Sequence, residues 1–158
     1  MTIEIGKKAP SFKLPASNGG QVKLSDYIGN NVVIYFYPKD LTPACTTEAC
    51  DFRDSADSLE AQNTVILGIS MDPIKQHHRF IEKYNLPFLL LSDEDHTVAE
   101  LYGVWQLKKL YGKEYMGIVR STFLVNDKGI LVKAWQNIRV KSHVEEVLGY
   151  INENLKMK

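Results

Sequence analysis

The 158-residue chain is long enough for one domain with a sizeable core, and its 44% apolar and 24% charged residues suit a globule that needs no metal or disulfide staples. Lys+Arg and Asp+Glu number 19 each, so the net charge is zero and nothing recommends nucleic acid, an anionic membrane or a strongly acidic partner. No apolar run approaches the roughly 20 residues that span a bilayer, and Met1-Thr2-Ile3-Glu4 does not open a secretory signal.

Residues 1–30 are polar, with turn signals at Asn18-Gly19-Gly20 and Gly29-Asn30. Phe12 and Leu14 before the first turn, and Val22 and Leu24 after it, alternate as in a small hairpin. Residues 32–37 form a continuous apolar run ended by Pro38, the pattern of a strand covered on both faces. A helix is expected over residues 43–62, with Cys45, Ala49, Phe52, Ala56 and Leu59 on one side. Thr64–Ser70 reads as the next strand, and Pro73 lies in the first turn of a helix whose inner face carries Ile74, His77, Ile81 and Tyr84. Residues 88–91 make a short strand, and Asp93 or Asp95 caps a brief helix ending at Gly103. Residues 104–118 have scattered apolar positions, and Gly112 and Gly117 argue against a long element. Ser121–Val125 and residues 129–135 flank Asn126-Asp127-Lys128-Gly129 as a hairpin. The last helix carries Val144, Val147, Leu148, Ile151 and Leu155 as its stripe, with Lys156 and Lys158 suited to its C-terminal end. Strands alternating with helices predict an α/β sandwich around one sheet, a single domain over residues 1–158, and the late hairpin argues against an all-parallel sheet.

The chemistry is concentrated between Tyr35 and Cys50. A buried strand ends at Pro38, a short loop follows, and a helix begins at Thr42 or Pro43, which places Cys45 in a first helical turn beyond the C-terminal end of a strand. Free N–H groups and the helix dipole favour an anion there, hence the thiolate. Thr42 either caps the helix or presents its hydroxyl to the sulfur or to a substrate oxygen. Pro38 either punctuates the strand or shields the thiolate. Arg120, just before Ser121–Val125, is either a solvated or ion-paired strand end or a fixed cation beside the sulfur. Cys45 and Cys50 are the chain's two cysteines; their C-x4-C spacing matches neither the redox CxxC signature nor a usual zinc site. His77 is expected on a partly buried helical face, His78 in solvent, and His96 and His143 as helix-surface or capping groups, so no metal site is expected. The phosphate-binding and serine-hydrolase motifs GxGxxG, GxxxxGK[ST] and GxSxG are missing.

At Pro38-x-x-x-Thr42-x-x-Cys45 the sequence resembles the peroxiredoxins, and the stretch through Cys50-Asp51-Phe52-Arg53-Asp54 resembles their bacterioferritin-comigratory, or Q-type, subfamily. The likeness extends from Gly6-Lys7-Lys8-Ala9-Pro10-x-Phe12 to Arg120-Ser121-Thr122-Phe123; Ala44 departs from the glycine of many relatives. It implies a thioredoxin-like fold, a mixed central sheet flanked by helices with an N-terminal hairpin extension. It also implies a thioredoxin-dependent thiol peroxidase acting on hydrogen peroxide and organic hydroperoxides. In that resemblance Cys45 is the peroxidatic and Cys50 the resolving cysteine, Thr42 and Arg120 organise the peroxide pocket, and Pro38 covers it. No cofactor or metal is implied. Thioredoxin or a similar dithiol is the implied reductant, the chain is expected to be cytoplasmic, and a monomer is expected, with weak dimers also occurring in the subfamily. The alternatives are a general thiol–disulfide oxidoreductase and a non-enzymatic redox sensor using the same Cys45 oxidation. If both cysteines share one helix when reduced, their Cα atoms stand roughly 8.5–9 Å apart, beyond the about 4.4–6.8 Å of a disulfide, so oxidation must unwind the helix.

Overall fold

Leu14 and Val22 face each other across an antiparallel pair, β1 (Lys13–Pro15) and β2 (Gln21–Lys23), and both side chains are buried between exposed neighbours. This is the hairpin expected from the alternation. Leu24 continues into a single 3-10 turn, Leu24–Tyr27. The protein is described by a computed structural model covering residues 3–155; Lys156 and Lys158 lie outside the described residues.

The uninterrupted apolar run becomes β3 (Asn31–Phe36), buried at every position. It is the middle strand of a five-stranded sheet completed by β4 (Thr64–Ser70), β5 (Leu89–Ser92), β8 (Ser121–Val125) and β9 (Leu131–Trp135), in the order β5-β4-β3-β8-β9. The pairs β3–β4 and β4–β5 are parallel, and β3–β8 and β8–β9 antiparallel. The sheet is therefore mixed, and the fold is thioredoxin-like.

Alternate residues of β3 serve two cores. Val33 and Tyr35 pack with α1 (Pro43–Asp54), α2 (Ala56–Ala61), α3 (Ile74–Tyr84) and α5 (His143–Asn154). Val32, Ile34 and Phe36 pack against the N-terminal hairpin and α4 (Thr97–Leu101). Gly68 in β4 makes room for Tyr35: a Cβ there would stand 2.7 Å from Leu90 Cδ2 and 2.9 Å from Tyr35 Cζ. Asp93 accepts from the N–H groups of Val98 and Ala99, and Asp95 from that of Thr97, so both candidate caps serve α4. Among the described residues no helix is long and apolar enough to cross a membrane.

Several local expectations need correction. The helix over residues 43–62 is interrupted at Ser55, whose N–H is shared by the Asp51 and Phe52 carbonyls before the chain restarts as α2. Pro73 is the N-cap of α3, and Phe80 is fully buried on a face read from Ile74, Ile81 and Tyr84, which are only partly covered. Residues 104–118 are regular: β6 (Trp105–Leu110) and β7 (Lys113–Ile118) form an antiparallel hairpin. Tyr111 and Gly112, at φ 51° and 77°, form its two-residue turn. Gly112 thus joins two strands rather than breaking one, and the pattern was obscured because most of this ribbon faces solvent, with Leu107, Leu110, Tyr111 and Met116 exposed.

Candidate active site

β3 ends at Phe36, and residues 37–42 carry the chain to α1, which starts beyond the C-terminal end of the central strand. Thr42 holds the N-cap position and Pro43 the first helical one. The Thr42 hydroxyl does not cap; it donates to the Lys39 carbonyl at 2.8 Å, while the Thr42 carbonyl accepts the Thr46 N–H at 2.8 Å. The earlier first-turn N–H groups, at Ala44 and Cys45, precede that bond and give this end its positive character. Cys45 points inward and is only 1% exposed.

Antiparallel pairing sets Ser121 opposite Phe36, so Arg120, one residue earlier, arrives beside the end of β3. The Ile138 N–H donates to its carbonyl at 3.1 Å. Arg120 Nη2 donates to Cys45 Sγ at 3.2 Å, and Nη1 donates to Glu48 Oε1 at 2.6 Å. The guanidinium thus bridges a sulfur and a carboxylate on successive turns of α1.

The residues that meet here are those of a known family. Residues 5–134 match the model of the AhpC/TSA family. Peroxiredoxin Bcp of Bacillus subtilis (strain 168) is 58% identical over 148 residues, 94% of each chain, and Peroxiredoxin Bcp of Escherichia coli (strain K12) is 43% identical over 152 residues, 96% of this chain and 97% of its own. The chain belongs to the Bcp, or Q-type, peroxiredoxins. Among solved structures, Xanthomonas campestris peroxiredoxin Q superposes with a TM-score of 0.88 at 39% identity over 92% of each chain, and a cysteine-to-serine mutant of Xylella fastidiosa PrxQ with 0.90 at 35% identity over 96% of each. A second X. campestris structure, of the bacterioferritin comigratory protein in trapped intermediate and ligand complexes, concerns alkyl peroxide reduction activity. The peroxiredoxin is accordingly an enzyme, a thiol-based peroxidase whose substrate is a peroxide.

Glu48 is the residue that sequence reasoning missed. It is completely buried, and Arg120 is its only ion-pair partner among the described residues. Burial pushes its carboxyl up to about 7 against the pull of Arg120. The available signal was a carboxylate three positions after Cys45, on the side of α1 that also carries Ala49 and Phe52. Arg120 and Pro38 line one groove of about 570 Å³ with Leu107, Lys108, Val119 and Ile138. Lys108 donates to the Ile118 carbonyl at 2.9 Å, and burial, followed by the Arg120 charge, lowers its pKa. A larger groove, about 650 Å³, runs along α1 past Thr47, Asp51 and Glu145, and neither cysteine lines either groove.

Cys50 is a free, half-buried thiol on the same helix as Cys45. Burial raises its pKa, Arg53 opposes this, and Asp54 and Asp51 add to it. Two histidines depart from expectation. His77 is fully buried, and His143 is buried with Nε2 2.8 Å from Thr122 Oγ1. His78 is exposed, as expected, and reaches the Ser17 carbonyl at 2.8 Å. His96 is the N-cap residue of α4 and stacks on Trp105 at 4.0 Å.

Proposed function

We propose that Cys45 is the nucleophile and that the Arg120 bridge, the observation that carries this reading, holds its sulfur as thiolate behind the groove that Arg120 lines. The thiolate attacks the terminal oxygen of R–O–OH. The O–O bond breaks, the sulfur becomes S–OH, and the leaving R–O⁻ takes a proton to give alcohol or water. Arg120 stays with the charge as it moves from sulfur to oxygen. The Thr42 hydroxyl proton is committed to the Lys39 carbonyl, so its oxygen is left to accept the O–H of the incoming hydroperoxide. Pro38 walls the groove and limits water around the sulfur. The alkyl peroxide activity of the X. campestris relative supports organic hydroperoxides beside hydrogen peroxide as substrates.

Cys50 then condenses with the sulfenic acid, releasing water and forming the Cys45–Cys50 disulfide. On the intact α1 the two Cα atoms stand roughly 8.5–9 Å apart, against about 4.4–6.8 Å in disulfides, so this step unwinds the first turns of α1. An external dithiol, thioredoxin or a close equivalent, takes the disulfide by exchange. We assign the cycle to a monomer, one domain over the whole chain, in a reducing compartment such as the cytoplasm, where that dithiol is kept reduced. The test is peroxide consumption with thioredoxin and its reductase, in wild type and Cys45→Ser: turnover confined to wild type supports the reading, and undiminished turnover in the variant overturns it.

A further inference from the structure

Beneath the active-site loop lies a buried polar network that the peroxide chemistry does not use. Asp40, in the middle of the loop, is 2% exposed, and His77 of α3 is completely buried. Tyr37 Oη donates to Asp40 Oδ1 at 2.5 Å, and His77 Nδ1 lies 2.6 Å from Asp40 Oδ2. On the other side of the ring, His77 Nε2 donates to the Leu91 carbonyl of β5 at 3.0 Å. A carbonyl only accepts, so Nε2 carries a proton, and a further proton lies between Nδ1 and the Asp40 carboxyl. The Asp40 N–H donates to Asp72 Oδ2 at 2.8 Å, an oxygen that also accepts from Ser70 Oγ at 2.7 Å.

The next residue, Leu41, has φ 65°, a left-handed backbone that a branched side chain adopts only when its surroundings impose it. That turn carries Thr42 to the start of α1 and lets its hydroxyl reach back to Lys39. Asp40 is the anchor on one side of the strained residue and Thr42 the functional group on the other.

We propose that His77, acting through Asp40, is a positioning residue for peroxide reduction, holding the loop in the left-handed turn at Leu41 that sets Thr42 and Pro38 around Cys45. The inference rests on Cys45 being the attacking thiolate. Without a donor at Nδ1, Asp40 keeps only Tyr37 as a side-chain partner in a site closed to water, and the turn loses its anchor. Cys45 itself, held by Arg120 and the helix start, stays in place.

Two substitutions divide the two ends of the ring. Asparagine at position 77 places an amide where Nδ1 was, toward Asp40; glutamine places one where Nε2 was, toward Leu91. Stopped-flow oxidation of reduced protein by hydrogen peroxide should be roughly 10–100-fold slower in His77→Gln, because misplacement of positioning groups by about an ångström carries that effect, and within about threefold of wild type in His77→Asn. Disulfide formation after oxidation, and the thiolate absorbance of Cys45, should be unchanged in both. Equal slowing in the two variants, or oxidation within about twofold of wild type in His77→Gln, overturns the proposal, since a purely structural tie between α3 and β5 gives no preference for the Asp40 end. Should His77→Gln not fold, Tyr37→Phe carries the test: the same network then predicts oxidation slowed about threefold with disulfide formation unchanged, and an unchanged oxidation rate overturns it. Cys45→Ser run alongside separates the two levels, because peroxide reduction surviving in that variant removes the parent reading whatever the His77 variants do.

Discussion

Cys45 and Cys50 lie on one helix, about a turn and a half apart, in opposite surroundings. Cys45 is buried in the first turn, where the N–H groups are unpaired and the Arg120 guanidinium stands 3.2 Å from the sulfur. Cys50 is half-buried further along, where burial raises its pKa, the charge of Arg53 lowers it, and those of Asp54 and Asp51 raise it. Burial alone raises a thiol's pKa, as at Cys50; a cation and a helix start change what burial does to the charge. One helix thus holds a sulfur hydrogen-bonded by a guanidinium and another whose thiol pKa is pushed up by burial and by neighbouring carboxylates.

The sharpest way to break that contrast is to remove each sulfur in turn. Cys45→Ser should abolish peroxide consumption, whereas Cys50→Ser should oxidise once at nearly the wild-type rate and then stall as the sulfenic acid, read by stopped-flow fluorescence and intact mass. Equal loss of the first oxidation in both variants would end the assignment. Next in size, Arg120→Ala should slow oxidation of Cys45 about 100-fold or more, as loss of a preorganised donor does, with a near-native circular dichroism spectrum. Folding is spared because Glu48, already pushed up to about 7, can take a proton when its cation is gone. An unchanged oxidation rate would return Arg120 to a structural ion pair. Trapping the disulfide should then lower hydrogen-exchange protection of amides 44–50, and equal protection in the reduced and disulfide forms would contradict the unwinding.

A smaller effect concerns the electrostatics around the pair. Glu48 holds its proton to about 7 in the fold against an ordinary value of 4.5, so the native state binds more protons between those values and stability falls as pH rises through them. His143 behaves oppositely: burial lowers it to about 4 from 6.5, with Glu146 opposing and Arg120 adding to the shift, so the unfolded chain binds more protons and stability rises with pH through that window. The two slopes oppose each other between about 4.5 and 6.5. Urea denaturation of reduced protein should show Glu48→Gln gaining roughly 2–4 kcal/mol relative to wild type between pH 4.5 and 7, and His143→Gln unmasking the fall. Parallel curves for Glu48→Gln and wild type would mean that Arg120 keeps Glu48 ionised throughout. The smallest change lies outside the comparison, at the tip of the β6–β7 ribbon. Tyr111→Asn suits the left-handed turn with Gly112 and should raise stability by up to about 1 kcal/mol, read from the denaturation midpoint, with both cysteine steps unaltered.

Much of this architecture could be read from the chain. The apolar run before Pro38, the strand Thr64–Ser70 and the hairpin around Asn126-Asp127-Lys128-Gly129 declare themselves because burial or turn chemistry constrains each residue locally. Arg120 stood out for its position before a strand, but its contact with Cys45 depends on β8 pairing antiparallel with β3, and strand order leaves no mark in periodicity. Glu48 was passed over for a similar reason: a carboxylate on an inner helical face becomes meaningful only when its partner is known. The ribbon over residues 105–118 was missed because strands with little buried face need not alternate. His77 looked like a half-covered helical residue, and only the loop folded over it makes it the end of a buried chain of hydrogen bonds.

The missing side chain at Gly68 reaches further than its own strand. Tyr35 occupies that space and stacks on Phe52 of α1 at 4.7 Å between ring centroids, and Phe52 lies seven positions after Cys45 on the same helix. A single methyl at position 68 would press on the Tyr35 ring and the Leu90 side chain at once. Both are fully buried, so the strain has no solvent-filled space to relax into and is passed to α1. The seat of the helix that carries Cys45 is therefore set from two strands away, by the one position in β4 that holds no side chain.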